Sequence, residues 1–202
     1  MERLASVDGL VISQQKEWGE IVTGFETKNQ YTVMDPSGQP LYTAVEEDGS
    51  TLMRLFLKSL RPFEINVAGP GHNTILRAKK PFRFYFHELE VVDPHGKVLG
   101  LIKRRFSILR RIYTAQDTAG KELFQLFGPL LKPWTFEIMR GGTTHGKITK
   151  KWSGLLKEGF SDADNFGITF PRGWDQKARL ILLGAVFLID FAHFENGNSS
   201  NH

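Results

Sequence analysis

SDADNFGITFPRGWDQKARLILLGAVFLIDFAHFE, residues 161–195, holds the longest apolar run of this 202-residue chain, Leu180 to Ile189. From Asp175 onward the stretch contains no Pro, and its one Gly is Gly184. Asp175 stands where a helix N-cap belongs, because its carboxylate can accept the free amides of a first turn. A helix over about residues 175–195 follows, with Lys177 and Arg179 as a polar first turn. Roughly fourteen apolar positions lie between Ala178 and Phe194, whereas a membrane span takes about twenty. Asp190 and His193 interrupt the far end, and a charge in hydrocarbon is costly. A helix apolar on every side must nonetheless be buried on every side. The run therefore reads as a core helix, with a single-pass membrane anchor as the alternative.

The rest of the chain says what encloses such a helix. Tyr31–Tyr42, Leu89–Ile102 and Ile112–Leu126 each read as strand, tight turn, strand, centred on Asp35-x-x-Gly38, Asp93-x-x-Gly96 and Asp117-x-x-Gly120. Asp accepts backbone amides at the start of such a turn, and Gly supplies the positive φ at its end. Two looser copies turn at Gly69-Pro70-Gly71, within Phe63–Lys79, and at Gly141-Gly142, within Phe136–Lys151. Single strands are expected near residues 21–27, 51–57, 83–86 and 166–170, and a short amphipathic turn near 14–20. The expectation is a mainly β fold: an antiparallel barrel of about twelve strands enclosing the apolar C-terminal helix, which leaves no exposed sheet edge. Residues 1–10 read as an N-terminal extension, 11–195 as the barrel domain, and 196–202 as a polar, frayed tail.

Composition narrows the function. Apolar residues make up 41% of the chain, enough for a real core, and the 16 Phe suit β structure and interfaces. The absence of Cys excludes disulfides, thiolate zinc sites and cysteine nucleophiles. The first twenty residues carry Glu2, Arg3, Asp8, Lys16 and Glu17 and no apolar core of a signal peptide. The six His are scattered, and there is no Gly-x-Ser-x-Gly, Walker loop or dinucleotide fingerprint, so a conventional enzyme is not expected.

Two constellations remain. Asp162-Ala-Asp164-Asn-Phe166-Gly167-Ile168 places acids at the first and third positions of a calcium-loop spacing and Gly at the sixth, yet it lacks the bidentate Glu at the twelfth. It reads either as a weak calcium site of two carboxylates and backbone carbonyls or as an Asx turn entering a strand. Between Arg77 and Arg111 ten Lys and Arg stand against Glu88, Glu90 and Asp93, interleaved with aromatics. Lys79, Lys80, Arg83, Lys103, Arg104, Arg105, Arg110 and Arg111 are the candidate contacts to anionic lipid headgroups. The competing reading is the solvated face of a sheet. No motif supports nucleic acid, and no small-molecule substrate is indicated.

Asp162-Ala-Asp-Asn-Phe-Gly-Ile-Thr-Phe-Pro171, Gly184-Ala-Val-Phe-Leu-Ile-Asp-Phe191 and Phe194-Glu195 resemble the signature of the phospholipid scramblase family. Phe25–Tyr31, Arg61-Pro62-Phe63, Gly96–Gly100 and Phe127-Gly128-Pro129 add to the likeness, which runs from about Val11 to Glu195. That family is similar in turn to the Tubby C-terminal-like fold, a twelve-stranded barrel around an apolar helix. The resemblance implies a calcium-responsive protein, associated with the cytoplasmic face of a membrane, that moves phospholipids between leaflets without ATP; the alternative is a soluble adaptor on the Tubby-like scaffold that docks on membrane phosphoinositides or nucleic acid without transporting lipid. It assigns Asp162, Asp164, Phe166 and Ile168 to the calcium segment. The chain departs from the family pattern at Gly173, where a further Asp is usual. It also has no Cys in residues 46–60, so the acyl anchoring seen at that region in eukaryotic members is excluded.

Overall fold

The structure, a computed structural model, describes residues 2–15, 29–47, 60–82, 87–150 and 165–194. Twelve antiparallel strands form one closed barrel: β1 (Gly9–Gln15), β2 (Gln30–Met34), β3 (Pro40–Glu46), β4 (Phe63–Ala68), β5 (Thr74–Lys80), β6 (Glu88–Val92), β7 (Val98–Arg105), β8 (Arg111–Gln116), β9 (Glu122–Gly128), β10 (Thr135–Arg140), β11 (Thr143–Lys150) and β12 (Asn165–Thr169). Each strand from β2 to β11 pairs with its neighbours in the chain, and β1 pairs with β12 to close the ring, Leu10 opposite Ile168. All five expected hairpins are present. Strand β1 and the short helix Glu2–Ser6 are the elements that the sequence reading did not anticipate. The single strands expected near 21–27, 51–57 and 83–86, most of the turn expected near 14–20, and the tail lie outside the described residues.

The hairpins form for the reason their turns suggested. The Asp35 carboxylate accepts from the amides of Ser37 (2.8 Å) and Gln39 (3.0 Å) and from the Ser37 hydroxyl (2.6 Å). The last of these bonds contributes most to holding the Asp35 carboxyl below its usual range. Asp93 accepts from His95 and Lys97, and Asp117 from Ala119 and Lys121, in the same way. Gly38, Gly96 and Gly120 then take φ of 91°, 85° and 82°. Strand alternation does the rest: Phe63, Ile65 and Val67 are buried while Glu64, Asn66 and Ala68 are partly exposed.

Helix α2 (Gln176–His193) fills the barrel, and every residue from Ala178 to Phe191 is buried. The Asp175 carboxylate caps it by accepting from the Ala178 amide at 2.7 Å. At 1.5 Å per residue the helix is about 27 Å long, and no helix among the described residues is long and apolar enough to cross a membrane. Gly184 and Gly100 mark close approaches of helix and wall, since an added Cβ would lie 2.7 Å from Val91 Cγ2 at the first and 2.6 Å from Ile181 Cδ1 at the second. Arg179 does not face solvent as a first-turn residue would. It is 8% exposed, donates to the carbonyls of Leu4 (2.9 Å), Val7 (2.6 Å) and Trp174 (3.3 Å), and lies over the Phe170 ring. The first two carbonyls belong to α1 (Glu2–Ser6) and its exit, so of residues 1–10, read from sequence as an extension, residues 2–8 sit against the body of the domain with Leu4 fully buried, and Gly9 and Leu10 are part of the barrel itself.

At Gly96 no atom lies within 4 Å of an added Cβ, so a substitution there strains only the backbone. Gly96→Ala should lower the unfolding free energy by about 1–2 kcal/mol in urea titration, and Gly96→Asn by less, because Asn tolerates the left-handed region better.

Candidate functional site

The two ends of the barrel differ in construction. At the lower end, where α2 enters, the strands are joined by the tight Asp-Gly turns and by Gly69–Asn73 and Gly141–Gly142. The upper end, where α2 finishes, carries the longer connections. Phe194, the C-cap of α2, stacks on Trp134 of the β9–β10 loop there, with ring centroids 5.3 Å apart.

Inside the upper end, the strand positions that face the helix turn polar. Asp190 accepts from the Tyr31 hydroxyl at 2.9 Å and pairs with the Lys150 ammonium at 3.5 Å. Lys150 also lies over the rings of Phe166 and Phe194. Arg61 forms a buried ion pair with Glu46 and covers the Phe191 ring at 4.3 Å. Asn29 donates to the same Glu46 carboxylate at 3.0 Å, and Gln14 donates to Asn29. Lys80, which the sequence placed on a lipid-facing surface, is 2% exposed and points inward. It donates to the carbonyls of Arg61 (2.8 Å) and Leu60 (3.3 Å). Tyr31 and Lys150 hold Asp190, and Arg61 and Lys80 lie over the Phe191 ring, which ties the last turns of α2 to the wall.

On the other side of the helix terminus, Tyr113 and His193 are hydrogen-bonded at 2.8 Å. Burial, then the cations Arg111 and Arg104 and the neighbouring His87, push the His193 imidazole down to about 3. Burial, then Lys80 and Arg104, push His87 down to about 4. Burial also raises the Tyr113 hydroxyl above its ordinary value. Both imidazoles are therefore neutral at pH 7. Arg104 shares the inward parity of Gly100 and Ile102, which is how its charge reaches both histidines.

The remaining basic candidates separate into two groups. Lys79 and Lys103 lie on the outer wall, in cross-strand ion pairs with Glu64 (3.0 Å) and Glu88 (3.9 Å). Exposed pairs of this kind contribute about 1 kcal/mol or less, and for these two residues the solvated-face reading describes the geometry. Arg105, Arg110 and Arg111 lie at the upper rim, on or beside the β7–β8 loop. Arg105 reaches Thr114 and Glu122, and Arg110 covers the Phe127 ring at 5.5 Å. Arg111 donates to the carbonyls of Pro129 (3.4 Å), Lys132 (3.1 Å) and Pro133 (2.5 Å), stapling the β7–β8 loop to the β9–β10 loop. Arg83 lies outside the described residues. Residues 105–111 and 129–134 contain three Arg and one Lys and no Asp or Glu.

Asp162 and Asp164 of the calcium segment also lie outside the described residues. Phe166 and Ile168 are in β12, with buried apolar side chains and a strand partner on each side, so neither offers a side-chain ligand. Among the described residues no group of three His, Asp or Glu is placed to hold a metal ion. The outer wall of β10–β12 carries an open groove of about 510 Å³, lined by Lys132, Thr135, Glu137, Thr144, Lys147 and Thr149 among others. What sequence reasoning missed is that the apolar residues of the basic cluster, Phe106, Ile108 and Leu109, belong to a loop and are exposed. The available signal was the lack of strict alternation between Arg105 and Arg111.

Comparison with protein-family models matches residues 1–196 to the family described as Scramblase. The chain belongs to the scramblase family. It is 34% identical to mouse "Phospholipid scramblase 1" over 96% of this chain and 63% of that protein. Identity to human "Phospholipid scramblase 1" is 32% over 98% of this chain and 67% of the relative. For human "Phospholipid scramblase family member 5" it is 30%, over 97% and 77%. The chain thus spans a little under two thirds of the mouse relative it matches. No solved structure gives a significant match. In this scramblase-family chain the apolar C-terminal run is the core of the barrel.

Two outcomes test the upper-end chemistry. Removing one partner of a buried pair strands the other charge, so Lys150→Met should cost about 3–5 kcal/mol in urea unfolding, and Lys150→Met with Asp190→Leu should cost less than the single change. For the histidines, an unfolded imidazole titrates near 6.5, whereas His87 and His193 titrate near 4 and 3 when folded. The unfolded chain therefore takes up protons first as pH falls. The stabilising contribution is full above about pH 6.5 and is lost progressively below it. Melting temperature should fall between about pH 7 and 5, and the slope should flatten in the His87→Gln/His193→Gln variant.

Proposed function

We propose that this chain moves phospholipids between membrane leaflets without ATP, acting from the cytoplasmic face of an anionic membrane on which its upper rim docks. Scramblase membership supports the substrate class. The observation that carries the docking geometry is the charge of the two stapled upper loops, three Arg and one Lys with no acid. Each such cation near an anionic leaflet contributes about 1 kcal/mol. The chemistry is physical transfer, and no bond to the lipid is made or broken. Calcium dependence is part of the proposal and falls to Asp162 and Asp164.

A second reading, docking without transport, is favoured by one observation: α2 fills the barrel, so the barrel offers no polar path for a headgroup. One assay separates the two. Vesicles carrying a fluorescent lipid in both leaflets are quenched from outside by dithionite, with the purified protein and either calcium or a chelator. Transport predicts loss of the protected inner-leaflet signal beyond that of empty and heat-inactivated controls. Vesicle-bound, folded protein without such loss leaves docking alone. Arg105→Glu/Arg110→Glu should weaken binding to anionic vesicles by about tenfold or more; unchanged binding would remove the upper rim from the docking surface.

A further inference from the structure

Every large apolar side chain that is exposed among the described residues lies at the upper end of the barrel. Phe106 (78% exposed), Ile108 (86%) and Leu109 (67%) are on the β7–β8 loop, and Leu130 (66%), Leu131 (92%) and Trp134 (41%) on the β9–β10 loop; Phe82 (37%) follows β5. Exposed apolar side chains are ordinary when scattered, and concentration at one end of a molecule calls for a partner. The loops carry internal hydrogen bonds. The Arg110 amide donates to the Ser107 hydroxyl at 3.1 Å, the Lys132 amide to the Pro129 carbonyl at 3.2 Å, and the Thr135 amide to the Lys132 carbonyl at 3.1 Å. The Arg111 guanidinium then holds the two loops side by side. The apolar tips are thus presented by built turns, and little further ordering is required when they meet a partner.

We infer that these two loops insert their apolar tips into an anionic phospholipid bilayer, so that the barrel stands on the membrane with the C-terminal end of α2 facing it. This rests on the membrane-docking reading above and adds depth and orientation to it. The charges select the occupant. Arg105, Arg110 and Lys132 flank the tips with no carboxylate in either loop, which suits a layer of phosphates over hydrocarbon. Trp134, part exposed and part stacked on Phe194, has the placement of an interfacial aromatic. Penetration stops at the boundary between headgroups and acyl chains, because loop backbone carries polar groups that hydrocarbon cannot satisfy.

The natural absence of Cys makes the test clean, since one introduced Cys carries one label. Full-length Ile108→Cys, Leu131→Cys and, at the opposite end, Thr118→Cys carry an environment-sensitive fluorophore. They are mixed with phosphatidylcholine vesicles containing one-fifth phosphatidylserine, with or without nitroxide on the acyl chains. Labels at 108 and 131 should shift to the blue and be quenched by the acyl-chain nitroxide, while the label at 118 does neither. Leu130→Asp/Leu131→Asp, with an unchanged melting temperature, should lose at least about tenfold in vesicle affinity. Binding without quenching at 108 and 131 overturns insertion and leaves electrostatic docking intact. A folded protein that binds no anionic vesicle overturns both readings. A blue shift without vesicles that grows with protein concentration assigns the tips to a second copy of the chain and overturns the membrane assignment.

Discussion

An eighteen-residue helix with an apolar surface on every side cannot stand against one sheet, because half of it would remain in water. The architecture follows from that constraint. Twelve strands close a ring wide enough to hold a helix where a smaller barrel would hold only side chains. Closure also removes the edge strands that a mainly antiparallel protein would otherwise have to protect. The helix in turn supplies the core that a ring of this size lacks: Ile181, Val186, Phe187 and their neighbours fill the space between Val91, Tyr113 and Ile65. Neither element is complete without the other.

The two ends of the helix are held by different chemistry. At the entry, main-chain carbonyls of α1 receive Arg179, so the N-terminal segment and the helix lock the lower opening together. At the exit, Asp190, Lys150, Tyr31, Arg61, Glu46 and Lys80 replace the apolar lining with hydrogen-bonded charge. Buried ion pairs are weak sources of net stability, but they penalise any arrangement that separates them. Asp190, met in sequence as an interruption of a membrane-like run, is a tether to the wall. The neutral pair His87 and His193 sits among the cations of the same end, kept uncharged by burial and by those cations.

The molecule is therefore polar along its axis. Tight Asp-Gly turns, whose acids are occupied by backbone amides, finish the lower end. Stapled loops carrying cations and bare apolar tips finish the upper end. Scramblase membership supplies a reason for a lipid-facing surface, and the docking surface proposed above lies at the upper end. A filled barrel also bears on mechanism: any lipid movement belongs to the outside of the barrel or to its effect on the leaflet it touches, because the interior is occupied by α2.

Local chemistry in the sequence determined the hairpins, the N-cap at Asp175 and the helix beyond it, because turn residues and apolar runs act over a few residues and need no partner to be read. The family was legible in Asp162–Pro171 and Gly184–Phe191 for the same reason: these are contiguous motifs. Tertiary structure alone decided what each cation does. Lys79 and Lys80 are adjacent, yet one faces solvent beside Glu64 and the other faces the helix, because a strand alternates and its register is set by neighbours far away in sequence. The exposure of Ile108 and Leu131 was decided by where β7 and β9 end, which no local pattern states. Strand β1 and the burial of Leu4 depended on closure against β12, a contact between the two ends of the chain that no local pattern encodes.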